Sequence, residues 1–171
     1  MSFQNTKSMA NYQPDDIDQK ILGFLISNAR MPYLEIARSC GVSGAAIHQR
    51  VKKMENSGVI NGARLLVNPK ALGLGVCAYI AVSLKASFYK KAVEEFKKVP
   101  EIVECHFVTG EFSLLLKVQC KRDEDLMKLI INTIQAIPEV TKTETWLSLD
   151  QPIDRNIWIN GFNAEASATA E

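Results

Sequence analysis

No stretch of this sequence stays apolar for the length of a bilayer. The opening MSFQNTKSMANYQPDD also lacks the continuous apolar segment of a signal peptide. The chain is therefore expected to be soluble and cytoplasmic, with no membrane partner. Histidine is scarce, with 2 residues in 171. The four cysteines, Cys40, Cys77, Cys105 and Cys120, are scattered. They form no CxxC pair and no metal-type cluster with histidine, so they read as free buried thiols. Cys105 and His106 are adjacent, but on a strand their side chains point to opposite faces, which argues against joint ligation of a metal. No metal and no cofactor is expected. No Ser/His/Asp constellation, carboxylate pair or phosphate loop stands out either, so no catalytic residue is assigned and the chain is not read as an enzyme.

Strong net charge is missing as well. The formal charge is +1, which looks unpromising for a nucleic-acid binder, but it hides a split. Residues 1–64 hold 8 basic against 5 acidic side chains, or +3, and residues 65–171 hold 12 against 14, or −2. Three of the four residues from Arg50 to Lys53 are basic. A local patch rather than the total sets attraction to phosphates. What the chain does have is a hydrophobic content of 47%, enough for a core, in a length that fits one domain or two small ones.

Residues 1–13 read as a flexible polar arm. Asp15 or Asp16 is placed to cap a helix running to about Ala29, with Ile17, Ile21, Phe24 and Leu25 on one face. Pro32 breaks it, and a short helix from about Tyr33 to Cys40 is expected to bury Leu34, Ile36 and Ala37. Gly41 suits the positive φ that ends such a helix. Ser43 then caps a third helix that runs to about Ser57 and stops at Gly58. At about 100° per residue, Ile47, Val51 and Met54 face inward, while Ala45, Gln49 and Lys52 point nearly opposite. His48 and Lys53 flank them, and Arg50 lies nearer the inward edge. The stretch from Val59 to Gly73 reads as extended, as a wing beside the helices, a linker, or both.

From Val76 the period changes. Strand, helix, two strands, helix and strand follow, with the two middle strands joined at a hairpin turn at Gly110-Glu111. Val76–Leu84 is the first strand. Ser87 caps the first helix, which turns Phe88, Ala92, Phe96 and Val99 inward. The second helix has Asp123 near its cap and Leu126, Ile130, Ile134 and Ile137 inward. Ile153 to Ile159 offers a further edge strand, and 161–171 reads as a flexible tail. The fold class is α+β, a tri-helical unit followed by a ferredoxin-like β-α-β-β-α-β sandwich. VCAYIAVSL and FSLLLKV are apolar on both alternations, which calls for cover on both sheet faces and supports a dimer.

Ala37, Gly41 and Ile47 have the spacing of a helix-turn-helix, whose second helix fits a major groove. Ala45 permits close approach to base edges or thymine methyls, His48 and Gln49 can bond bases, and Arg50, Lys52 and Lys53 suit phosphates or guanines. From spacing alone, a plain helix corner with a solvated basic face stays open beside the DNA-binding reading.

Residues 15–73, from DDIDQKILGFL to NPKALG, resemble the winged helix-turn-helix of the Lrp/AsnC, or feast/famine, regulators. EIVECHFVTGEFSLLLKVQC resembles the core of their effector domain. The resemblance spans about residues 14–160 in the right order. It implies a helix-turn-helix DNA-binding domain over 14–60, a wing or linker over 61–73, and an effector-binding and oligomerisation domain over 74–160. It implies a prokaryotic, sequence-specific transcription regulator that binds double-stranded DNA, dimerises, often assembles into octamers and senses amino acids. On the same grounds Ser43 to Lys53 is the recognition helix, and Arg64 reaches the DNA backbone. The family's ligand loop, usually Gly-Asp-aromatic-Asp, here reads Gly110-Glu111-Phe112-Ser113. Glu111 keeps the charge on a longer side chain, and Ser113 loses a carboxylate that would favour an α-amino group. Thr143 and Thr145 fall where the family's last strand borders the same interface.

Two rivals remain in view. Proteins of this same architecture decarboxylate a sirohaem-type tetrapyrrole. They need His and Arg at the pocket, for which His106 is the one candidate here. A DNA-independent interaction module is the other rival, and the Arg50–Lys53 cluster speaks against it.

Overall fold

The structure, a computed structural model, describes residues 12–85, 89–157 and 159. They fall into two compact units, one running up to Leu65 together with residues 154–157 and 159, the other running from Leu66 to Ile153. Residues 1–11 of the polar arm, the Ser87 cap, Phe88 and the 161–171 tail lie outside the described residues.

Three helices build the first unit: α1 (Asp16–Ser27), α2 (Tyr33–Cys40) and α3 (Gly44–Asn56). A capping box starts α1. The Asp15 carboxylate accepts the Asp18 N–H at 2.8 Å, and the Asp18 carboxylate accepts the Asp15 N–H at 3.1 Å. The helix ends at Ser27, short of Ala29, because Asn28 is already extended at φ −149°. Gly41 closes α2 at φ 67°, a conformation that costs any residue with a Cβ. The Ser43 hydroxyl accepts the Ala46 N–H at 3.2 Å and opens α3. Ile21, Ile36, Ala37, Ile47, Val51 and Met54 form the core between the helices. Leu34 departs from expectation: it is 59% exposed. Two residues ahead of Ile36, it lies about 200° around the helix from the buried side. Residues 61–68 are exposed and carry no regular secondary structure.

The second unit holds β1 (Val76–Leu84), α4 (Tyr89–Phe96), β2 (Ile102–Phe107), β3 (Leu114–Cys120), α5 (Asp123–Lys128) and β4 (Val140–Leu147). The strands pair antiparallel in the order β2-β3-β1-β4, the ferredoxin-like arrangement. Strand alternation decides the layers. Ala78, Ile80 and Val82 of β1 and Leu114, Leu116 and Val118 of β3 are wholly buried, packed with Ala92 and Phe96 of α4 and with Leu126, Leu129, Ile134 and Ile137. Both helices thus cover one face. The other face carries cross-strand rows, Trp146–Tyr79–Lys117–Glu104 and Glu144–Ala81–Leu115–His106. Of its apolar residues, Ala81 is buried, whereas Tyr79 and Leu115 are half-buried and Trp146 is 46% exposed, outside the core that the helices cover.

Three expectations for this unit are corrected. Helix α5 continues as a π-helix over Leu129–Ile134, with the Gln135 N–H bonding the Ile130 carbonyl at 2.8 Å. Leu129 is buried there, and Ile130 packs partly buried against the same core, the side expected of it. The β2–β3 connection is a loop rather than a two-residue turn, closed where Val108 N–H donates to the Ser113 carbonyl at 3.2 Å. Residues 153–157 and 159 form no strand.

Ile36→Ala should lower unfolding free energy by about 2–5 kcal/mol in urea titration, as large-to-small core changes do. On the same helix, Leu34→Ala should stay within about 0.5 kcal/mol.

Candidate functional site

The candidate DNA-reading surface is the outward side of α3. Ile47, Val51 and Met54 point into the core, at 4% exposure or less. That fixes Ala45, His48, Gln49, Lys52 and Lys53 on the solvent side, and all five are exposed. Ser43, the cap, and Arg64 are exposed too. The His48 ring meets Tyr33 of α2 edge-on, centroids 6.0 Å apart. The Lys53 ammonium lies 4.6 Å from the centre of the Tyr12 ring, a cation–π contact that leaves it accessible.

Arg50 is directed elsewhere. Its Nη1 donates to Asp15 at 2.7 Å and to Asp18 at 2.8 Å. The Asp18 side chain is only 2% exposed. It also accepts the Tyr12 hydroxyl and the capping bond from Asp15. Arg50 therefore ties α3 to the start of α1, a contact that Lys52 and Lys53, expected beside it against phosphates or guanines, do not share. The electrostatics follow the contacts. The Asp18 N–H, and next Arg50, hold the Asp15 carboxyl below its ordinary value. Partial burial, then the bond to Asp18, push the Tyr12 phenol up to about 12. The two carboxylates raise the Arg50 guanidinium further above its already high value.

In the second unit the Gly110-Glu111-Phe112-Ser113 segment forms the β2–β3 loop. Gly110 sits at φ 108°, a turn conformation that needs glycine. The Glu111 carboxylate accepts from Lys142 Nζ at 2.5 Å, and that ammonium lies 5.0 Å from the Phe112 ring centre. The Ser113 hydroxyl accepts the Leu84 N–H at 3.3 Å, so it knits loop to sheet. Thr143 and Thr145 pair with Val82 and Ile80 and share their helix-covered face. The Thr143 hydroxyl accepts from Gln135 Nε2 at 2.8 Å. Lys142 pairs with Ser83 on the opposite face. Within one chain, then, Glu111 and the two threonines do not converge. His106, the residue offered for a tetrapyrrole, is exposed on the open sheet face, 3.2 Å from Glu104.

The sequence reading missed Tyr12, Asp18 and Lys142. The D-x-x-D spacing of Asp15 and Asp18, with Arg50 near the inward edge of α3, held a signal for the first cluster. Nothing local could pair Lys142 with Glu111, since that contact depends on the register between β1 and β4.

Comparison with known proteins agrees over both units. The family described as winged helix-turn-helix DNA-binding matches residues 14–61, and the one described as Lrp/AsnC ligand binding domain matches 77–158. The chain is 42% identical to the regulatory protein AsnC of Escherichia coli over 150 residues, covering 87% of this chain and 99% of that protein. It is 35% identical to the HTH-type transcriptional regulator FL11 of Pyrococcus furiosus, covering 79% and 89%. The solved structure of E. coli AsnC superposes with a TM-score of 0.81 at 41% identity, covering 85% of this chain and 99% of that one. A feast or famine regulatory protein from M. tuberculosis, complexed with L-methionine, gives 0.80 at 28% identity, covering 86% and 99%.

The Asp15 contacts predict acid lability of the first unit. Its folded-state pKa lies below the ordinary 3.8, so its contribution is fully present above about pH 4 and is lost as pH falls through the folded value. In melts run from pH 7 down to pH 2, Asp15→Asn should lower the melting temperature at neutral pH and flatten its fall on the acid side.

Proposed function

The chain belongs to the Lrp/AsnC family of DNA-binding transcription regulators, and from that premise we propose that it reads its operator with Ser43–Lys53 laid in the major groove. The observation that carries this is the partition of α3, with its apolar residues buried and Ala45, His48, Gln49, Lys52 and Lys53 exposed together. Ala45 brings the helix close to base edges. His48 and Gln49 hydrogen-bond bases, with glutamine suited to adenine. Lys52 and Lys53 meet phosphates. Ser43 sits at the helix N-terminus, where backbone N–H groups favour a phosphate, and Arg64 contacts the backbone.

We propose further that an amino acid modulates this binding. The M. tuberculosis relative complexed with L-methionine supports that class of effector. Glu111 offers a carboxylate to an α-amino group, Lys142 a cation to an α-carboxylate, and Phe112 an apolar wall. Because Thr143 and Thr145 face the other side of the sheet, a ligand touching both sets draws them from more than one subunit. A homodimer fits the uncovered apolar centre around Tyr79 and Trp146. Octamers are the further expectation from the family resemblance. The regulator acts in the cytoplasm.

Gln49→Ala should weaken binding to the promoter site more than to random duplex. Lys52→Ala with Lys53→Ala should weaken both and flatten the salt dependence, by a log–log slope of about 0.9 for each phosphate no longer neutralised. Unchanged affinity in that double variant rules out this placement of α3. A thermal-shift screen against the twenty amino acids should give at least one stabilising ligand, since binding to the folded state raises the melting temperature by mass action. Glu111→Gln should abolish that shift while sparing dimerisation in sedimentation. A surviving shift refutes the role of Glu111.

A further inference from the structure

The recognition helix carries three cations between Arg50 and Lys53, yet they are not equivalent. Lys52 and Lys53 are exposed, whereas the Arg50 side chain is 30% exposed and its Nη1 lies between two carboxylates. Two carboxylates against one guanidinium leave that cluster no positive surplus to offer a phosphate. To engage DNA with its full charge, Arg50 would have to leave Asp18, whose side chain is 2% exposed. An ionised carboxylate stranded away from water without its cation is strongly disfavoured. Asp18 is held in turn by Tyr12 and by the capping bond, so it cannot swing out to follow the arginine.

We propose that Asp15 and Asp18 act as specificity-determining residues by withdrawing Arg50 from the phosphates, so that the free cations of the helix are Lys52 and Lys53. Non-specific affinity rests on sequence-independent phosphate neutralisation, while specific affinity adds base contacts. A cation removed from the first term leaves the second intact and raises the ratio between them. Arg50 is then a positioning residue that sets the tilt of α3 on α1, and the exposed carboxylate of Asp15 is the adjustable part of the device. The proposal rests on α3 being the DNA-reading helix.

The test is a salt titration of the full chain on a random-sequence duplex, read by fluorescence anisotropy. Lys52→Ala should reduce the log–log slope by about 0.9, the value for one neutralised phosphate. No change there would overturn the placement of α3, a failure distinct from that of Arg50. With Lys52 behaving as stated, Arg50→Met should leave the slope unchanged. Asp15→Asn should tighten binding to random DNA several-fold and steepen the slope, and the gain should vanish in Asp15→Asn/Arg50→Met, because it acts through the arginine. A slope reduced by about 0.9 in Arg50→Met, or a gain that persists in the double variant, overturns the proposal. Should Arg50→Met fail to fold, the unaltered protein decides by NMR. Arg50 side-chain resonances that stay fixed on adding random duplex, while those of Lys52 move, support sequestration. Resonances that move together overturn it.

Discussion

A carboxylate taken out of water must find a cation and hydrogen bonds, and in the first unit that requirement falls on Asp18. Its partners are Arg50 of α3, the phenol of Tyr12 and the N–H of Asp15. The sequence distance from Asp18 to Arg50 spans the whole tri-helical unit, so satisfying one buried charge sets the position of α3 against α1. The apolar core supplies the bulk of the stabilisation and turns Ile47, Val51 and Met54 inward, but apolar contacts are non-directional and so more indifferent to small rotations of a helix. The ion pair is not indifferent, because two short hydrogen bonds converge on one nitrogen. Burial of Ile47, Val51 and Met54 turns Ala45, Gln49 and Lys52 outward, and the ion pair pins that orientation against α1.

Helices and strands were largely legible because their signals are local. Ser43 and Gly41 bound α2 and α3 by cap chemistry, and the 3.6-residue period put Ile47, Val51 and Met54 inward. Alternation in VCAYIAVSL and FSLLLKV located two strands and showed that both faces are apolar. Errors arose where geometry departs from the ideal period or where a partner is distant in sequence. Leu34 is apolar but sits on the wrong side of α2. The π-helix over Leu129–Ile134 leaves the α-helical period without a local signal in the sequence. Arg50 looks like its basic neighbours until the carboxylates of α1 are set opposite it.

The β2–β3 loop teaches a related lesson about charge. Glu111 reads as an anionic residue awaiting a cation, but in the folded chain it already has one in Lys142. The pair is exposed on both sides, so its own contribution to stability is small. Under the proposed effector role, an incoming zwitterion would exchange one ion pair for two without leaving either protein group unpartnered. Ser113, whose hydroxyl is bonded to the Leu84 N–H, is a structural member of the loop. It splices the loop to the sheet at the end of β1.

The π turn after α5 works like a spacer whose length matters more than its composition. Each residue inserted into or deleted from Leu129–Ile134 rotates everything beyond it by about 100°. Ile137 would leave the core, Gln135 would lose Thr143, and the chain would enter β4 with its alternation reversed. Lys142 and Thr143 would then trade sides of the sheet.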